Sequence, residues 1–288
     1  MKLLVILPRF PYPIEKGDKL RAYHQLRILS KYHQIHLIAL SHTKVNTDHF
    51  EKIKPCCSSI EVVRLSWPGV AWNLIKAYFT GLPFQVGYYF SATAYKTVEK
   101  AIRKFEPEHI YCQLLRTAEY GTGHRIINTL DYQDVFSKGI ERRIPGVKGL
   151  KKWLFSLEHK RLLKYENLVF DRFTNKTIIS VPDRECIPHP GREEILIVPN
   201  GVDHAFFRPV KMEKTHELVF TGNMGYPPNI NCAEYIVKEI LPLVHEKIPG
   251  VRVVIAGASP HAKVRALASE FVTVTGWVED IKIGRAHV

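Results

Sequence analysis

The stretch KLLVILPRFPYPIEKGDKLRAYHQL, residues 2–26, joins a short apolar run to a loop with three prolines and one glycine, and then to a segment of helical period. An apolar run without alternation reads as a strand covered on both faces, and such strands belong to parallel sheets. The same unit recurs along the chain. Strands are expected at 34–40, 60–65, 109–114, 125–130, 176–180 and 194–199, with helices in most of the gaps, most clearly at 18–31, 92–104 and 150–170. This alternation is the sequence form of βαβ units, so the fold class is α/β.

The segment PNGVDHAFFRPVKMEKTH, residues 199–216, breaks the pattern with a turn signal at Asn200 and Gly201, two further prolines and mixed charge. It reads as a domain boundary. Beyond it the pattern restarts with strand 217–222, helix 229–247, strand 251–257, helix 260–269 and strand 271–276, one half of a doubly wound sheet. The expected organisation is therefore a first domain over 1–203, a linker over 204–216 and a partial second domain over 217–281. The last strand is expected near an open edge. The terminal IGRAHV matches the translation of a sequencing-library adapter, so 282–288 reads as a non-native tail and the natural chain is expected to continue beyond about residue 281.

A net charge of +13 over 288 residues calls for an anionic partner: nucleic acid, anionic lipid or a phosphorylated substrate. No zinc-finger, helix-turn-helix or RRM-like pattern is present, which argues against nucleic acid. Five cysteines without C-x-x-C spacing and fourteen scattered histidines argue against disulfides and a metal site. The amino-terminal apolar run is about half a signal-peptide core and is cut by Pro8, Pro11 and Pro13, so a cytoplasmic location is expected. No stretch reaches the ~18 apolar residues that span a bilayer. Between 148 and 170, however, Leu150, Trp153, Leu154 and Leu157 recur at helical spacing among lysines. That pattern fits a helix lying on an anionic membrane surface and equally a helix packed on a sheet with a basic outer face.

A helix beginning near Asp18 would point its positive end at the carboxyl edge of the first strand, where α/β proteins place anionic ligands. Gly17 would let the backbone approach a ligand, and Lys19 and Arg21 would neutralise phosphate. Local sequence leaves open the plainer alternative, in which Asp18 caps the helix and Gly17 turns the chain. There is no G-x-G-x-x-G, which speaks against dinucleotide binding and against an epimerase or dehydrogenase.

Six motifs in register carry a resemblance: FPYP-x-x-KGDK-x-R-x-YH at 10–24, LDYQDVFSK at 130–138, LLKYEN at 162–167, IISVPDRE at 178–185, VPNGVDHAFFRP at 198–209 and FTGNMGYPPNINCAEYIVKEILP at 220–242. Over residues 1–281 the chain resembles retaining glycosyltransferases of the GT-B fold, family 4 type (group 1), and within them the sugar transferases of exopolysaccharide and PEP-CTERM gene clusters. The resemblance implies two Rossmann-like domains with parallel sheets facing across a cleft, the second incomplete here. It implies a nucleotide-sugar donor used as substrate, no metal or other cofactor, and a saccharide or lipid-linked acceptor at the inner face of the cytoplasmic membrane. Gly17, Asp18, Lys19, Arg21, Asn200, Gly201, Gly222, Asn223 and Asn229 become candidates for donor or acceptor binding.

Asp131 and Asp134 are the candidates on the catalytic side, since Asp131 stands where many relatives carry a sugar-contacting histidine. An ionised aspartate only accepts hydrogen bonds, so it would hold sugar hydroxyls or orient the acceptor. A helix-capping role in DYQD is the structural alternative. The loop 220–229 suits a pyrophosphate cradle on backbone N–H groups. Asn223 and Asn229 stand where many relatives use Arg and Lys, and no E-x7-E pair occurs after residue 200 in the right context. Weak donor binding and no turnover are therefore expected of this chain. A non-catalytic saccharide- or phosphate-binding relative is the alternative.

Overall fold

The computed structural model describes residues 1–202 and 217–278. The strands are β1 (Lys2–Leu7), β2 (Gln34–Ser41), β3 (Ser59–Arg64), β4 (His109–Gln113), β5 (Ile127–Asp131), β6 (Asn175–Ile178), β7 (Leu196–Ile197), β8 (Leu218–Thr221), β9 (Val253–Ala256) and β10 (Val272–Gly276). The helices are α1 (Gly17–Leu29), α2 (Thr47–Ile53), α3 (Trp67–Thr80), α4 (Phe84–Tyr89), α5 (Ala92–Phe105), α6 (Ala118–Gly121), α7 (Phe136–Glu141), α8 (Gly149–Phe170), α9 (Val181–Glu185), α10 (Pro227–Tyr235), α11 (Leu241–Lys247) and α12 (Ala262–Arg265). Every strand expected from sequence is present. The helix expected over 229–247 is instead three pieces, with a π-helical turn at Ile236–Ile240 between α10 and α11. Pro242 has no N–H to donate to the preceding turn, and the wider π turn absorbs that loss.

The chain divides into two compact units, Met1–Asn200 and Gly201–Val288. The expected linker at 204–216 and the tail at 282–288 lie outside the described residues. In the first unit all seven strands run parallel in the order β3-β2-β1-β4-β5-β6-β7. This is a doubly wound order that reverses direction between β1 and β4, and at such a switch point the connecting loops part and leave a crevice. In the second unit three parallel strands run β10-β9-β8. Among the described residues both β10 and β8 are outer strands.

The unbroken apolar runs follow from burial on two faces. Leu4 and Ile6 of β1 belong to one buried cluster with Val98 and Ala101 of α5 and Leu162 and Val169 of α8. Leu3, Val5 and Leu7 pack with Ala22 and Leu26 of α1 and Ile53 of α2. Each fully buried Leu or Ile contributes about 1.5–3 kcal/mol, so neither face tolerates a polar residue in β1.

Two glutamates of α8 cap other helices from a distance. Glu158 accepts from the backbone N–H groups of Phe84 (2.7 Å) and Gln85 (3.0 Å) at the start of α4. Glu166, fully buried, accepts from the N–H (3.0 Å) and hydroxyl (2.5 Å) of Ser137 in α7. A carboxylate at a helix start is favoured by the dipole and by the unpaired N–H groups there.

In the second unit the backbone of Gly257 (φ +148°) lies directly on the carbonyl of Gly222, and a Cβ at Gly257 would overlap that oxygen. Gly257→Ala is expected to destabilise this unit by more than ~3 kcal/mol, through both the clash and the backbone conformation. Thermal unfolding of the variant beside Gly201→Ala, where a Cβ meets open space and the backbone is not left-handed, checks this; equal midpoints would contradict it.

Candidate functional site

The loops that leave the carboxyl ends of the first sheet each bring one chemically distinctive side chain to that edge. In strand order these are Trp67 after β3, His42 after β2, Arg9 after β1, Arg116 after β4 and Asp134 after β5. Arg9 and Arg116 therefore flank the switch point. The proline loop explains how Arg9 gets there. Phe10 is buried and stacks on Phe50 (6.2 Å), and Tyr12 packs against Tyr23 and His49. These two aromatics anchor the loop.

Arg9 pairs with Asp18 (2.7 Å) in the first turn of α1. Burial works against its charge, but Tyr89 and Asp18 outweigh that, and its pKa is raised. Arg116 follows Leu114, a residue held at φ +62°, ψ 157°, a conformation that costs a non-glycine residue on the order of 1–3 kcal/mol. The Leu114 N–H bonds to the Asp131 carbonyl (2.8 Å), which holds the turn in place. The Arg116 guanidinium lies over the rings of Tyr89 (5.0 Å) and Phe136 (4.8 Å) and donates to Gln85 (2.9 Å). Its Nε is buried without a partner, and among the described residues it forms no ion pair. Burial lowers its pKa, though a guanidinium stays charged.

His42 lies between Trp67 (5.0 Å, stacked) and Tyr88 (5.2 Å), and among the described residues neither ring nitrogen has a hydrogen-bond partner. Burial first, and Arg9 second, lower its pKa. Trp67 itself is 65% exposed.

The sequence candidates fall into separate groups. Arg21, Asp131 and Asn200 meet in one network, buried at Arg21 and Asp131 and open at Asn200. Arg21 Nε and Nη2 donate to the two Asp131 oxygens (2.8 and 3.2 Å), and its Nη1 donates to the Val198 carbonyl and Asn200 Oδ1 (both 2.9 Å). Tyr111 (2.7 Å), Gln133 (3.2 Å) and Thr177 (2.8 Å) also donate to Asp131. Burial, and then Asp131, push the Tyr111 pKa far up, so its hydroxyl keeps the proton it donates. Asp131 is fully buried, and five hydrogen bonds fill its acceptor capacity. It is therefore not free to hold a sugar hydroxyl, and Arg21 is not free to neutralise phosphate. Both instead tie α1 to β4, β5, β6 and the chain after β7.

Asp134 is exposed and does not share the task of Asp131, because Gln133 at φ +57° turns the chain between them. Burial of its surroundings raises the Asp134 pKa. Nor does Asp18 cap α1: the helix starts at Gly17, the N-cap is Lys16, and no side chain accepts there. Gly17 is exposed, with open space where a Cβ would stand, and Gly201 is similarly open. Lys19 is half-buried, and that burial lowers its pKa.

Gly222, Asn223 and Asn229 come together after β8, but as a closed loop. The N–H of Gly222 bonds to Ala256, that of Met224 to Ala258, those of Gly225 and Tyr226 to Asn223, and that of Asn229 to Tyr226. Pro227 and Pro228 open α10 without any N–H. Apart from the Asn223 N–H, the backbone donors of the expected cradle are thus already engaged within the chain. Asn229 is no N-cap either; its amide donates to the Asn223 carbonyl (2.9 Å).

Sequence reasoning missed Arg9, His42, Trp67 and Arg116. They belong to no motif, and the signal for them is position alone: each stands just past a parallel strand.

Known proteins of similar fold can be set beside this geometry. Sucrose-phosphate synthase from Thermosynechococcus elongatus matches with a TM-score of 0.59 at 12% identity, covering 100% of this chain and 74% of that one. The Arabidopsis thaliana UGT89C1 complexed with UDP matches with a TM-score of 0.52 at 12% identity, covering 98% and 72%. The Phytolacca americana UGT2 complexed with UDP-2fluoro-glucose and pterostilbene matches with a TM-score of 0.51 at 10% identity, covering 98% and 73%. The fold is GT-B-like. Residues 215–284 of this GT-B-like chain match the family described as glycosyl transferases group 1. No curated protein matches the chain in sequence. Among the described residues of this GT-B-like chain, no helix is long and apolar enough to cross a membrane.

Proposed function

We propose that the protein is a retaining glycosyltransferase that moves a sugar from a nucleotide-sugar donor to a saccharide or lipid-linked acceptor during polysaccharide synthesis. The observation that carries this is the match of residues 215–284 to the group 1 glycosyl transferases, within a chain of GT-B-like fold. On this reading the first unit takes the acceptor at its carboxyl edge, and the second takes the nucleotide. The closed loop after β8, with Asn223 and Asn229 bonded internally, favours a second reading: a relative that binds saccharide or phosphate without catalysis.

Incubation with UDP-, ADP- and GDP-linked sugars plus an oligosaccharide, followed by NMR of the anomeric protons, separates the two. Nucleotide release with retained configuration supports transfer. An inverted product overturns the retaining assignment, and saccharide binding with no binding of any of the three nucleotide-sugars supports the second reading.

The same proposal includes contact with an anionic membrane. On α8, Leu162, Tyr165, Val169 and Phe170 pack in the core, while Leu150, Trp153 and Leu154 are exposed among Lys148, Lys151 and Lys152. The helix is thus half scaffold and half surface. Trp72, Ile75 and Phe79 of α3 form a second exposed apolar stripe beside Lys76. Each lysine near anionic lipid contributes about 1 kcal/mol. Sedimentation with phosphatidylglycerol vesicles is expected to remove the protein from solution at low salt, and Trp72→Glu/Phe79→Glu is expected to weaken this about tenfold or more. No sedimentation at low salt would contradict it.

A further inference from the structure

At the carboxyl edge of the first sheet the Arg116 guanidinium forms no ion pair among the described residues, in a row of side chains that ends at an exposed aromatic face. Arg9 and Arg116 converge on Tyr89 from the two sides of the switch point. Of the carboxylates near them, Asp18 is taken by Arg9, and exposed Asp134 makes no ion pair with Arg116. The Arg116 Nε is buried and unbonded, which costs free energy unless a ligand accepts from it. On the other side of Arg9, the unpartnered nitrogens of His42 sit under Trp67, whose ring is open to solvent. Four adjacent strands, β3-β2-β1-β4, separate Trp67 from Arg116, about 14 Å at the usual strand spacing. That length accommodates more than one sugar ring.

We propose that this row is a subsite for an anionic saccharide, with a phosphate or carboxylate group held by Arg116 and Arg9 and a sugar ring resting on Trp67. The proposal rests on the reading of the protein as sugar-transferring and adds the acceptor class: a saccharide that bears a negative charge near the reacting end. The Arg116 guanidinium suits this because its planar fork matches carboxylate and phosphate oxygens, while Arg9, which shares its charge with Asp18, adds a second, weaker cation beside it. The aromatic face suits the apolar C–H face of a sugar ring. His42 stacks beneath Trp67 and backs that ring from below.

Calorimetric titration of the full chain with glucose 1-phosphate, glucuronic acid, glucose and UDP tests it. Both anionic sugars are expected to bind at least about tenfold more tightly than glucose. Arg116→Met is expected to weaken both roughly 10- to 100-fold and to leave UDP unchanged. Trp67→Ala is expected to weaken every saccharide, glucose included. Arg116→Lys keeps the charge and loses the fork, so it should weaken glucuronic acid more than glucose 1-phosphate; this variant serves if Arg116→Met fails to fold by thermal unfolding. Equal affinity for glucose and the charged sugars, or an Arg116→Lys variant with wild-type affinity for both, would overturn the proposal. A loss confined to UDP would also overturn it, since the cations would then serve the donor phosphates. UDP binding with no saccharide binding would sink this subsite and leave the transferase reading standing, whereas failure of every probe would count against both.

Discussion

Replacing Asp131 with alanine is expected to destabilise the first unit by about 3–5 kcal/mol and to lower its melting temperature by about 6–20 °C. The reason is not the loss of one ion pair but what remains: Arg21, 7% exposed, would keep its charge with no carboxylate beside it. Tyr111, Gln133 and Thr177 would each lose an acceptor as well. Asp131→Asn should fall between alanine and wild type, because the amide oxygen still accepts but carries no charge. The decisive variant is Arg21→Met/Asp131→Leu. Replacing both partners by apolar groups removes the stranded charge, so the double variant should recover a large part of the loss. A catalytic Asp131 without this structural role would show the opposite pattern: near-wild-type melting for Asp131→Ala with activity abolished.

The second large effect is on pH dependence. Burial, eased only in part by the bonds from Ser137, raises the Glu166 pKa from 4.5 to about 7. Between pH 4.5 and 7 the folded protein therefore holds a proton that the unfolded chain has released. Stability must fall as pH rises through that window and flatten above it. The stabilising contribution is complete below pH 4.5 and gone above about pH 7, and the total is on the order of 3 kcal/mol. Glu166→Gln keeps an acceptor for the Ser137 N–H and cannot titrate. Urea unfolding of both proteins from pH 4.5 to 8 should show the variant gaining on wild type as pH rises. Parallel curves would contradict the assignment.

These two carboxylates show where sequence reading stops. The strands were legible because covered parallel strands are apolar along their whole length, as in KLLVIL. The restart after residue 216 was legible because the same pattern begins again. Asp131 reads in sequence as holding sugar hydroxyls or orienting the acceptor, whereas its place in the structure depends on Arg21, Tyr111 and Thr177, which lie 110, 20 and 46 residues away. Such partners carry no local signature. Glu158 and Glu166 read as ordinary polar positions on a long helix, and only the packing of α4 and α7 against α8 makes them caps. The loop after β8 misled for a related reason. Its glycines and asparagines do form a tight turn, but the turn satisfies itself, with Gly222 against Gly257 and two prolines opening α10.

On the proposed reading, ligand binding is organised at the carboxyl edge of the first sheet, around the switch point. Hydrogen exchange of the full chain, with and without UDP-glucose and glucose 1-phosphate added together, tests this most directly. Slowed exchange is expected in the loops after β1 and β4, residues 8–19 and 114–118, with no change at the opposite edge around residues 1–2 and 31–34. Protection confined to that opposite edge, or absent from both loops, would contradict it.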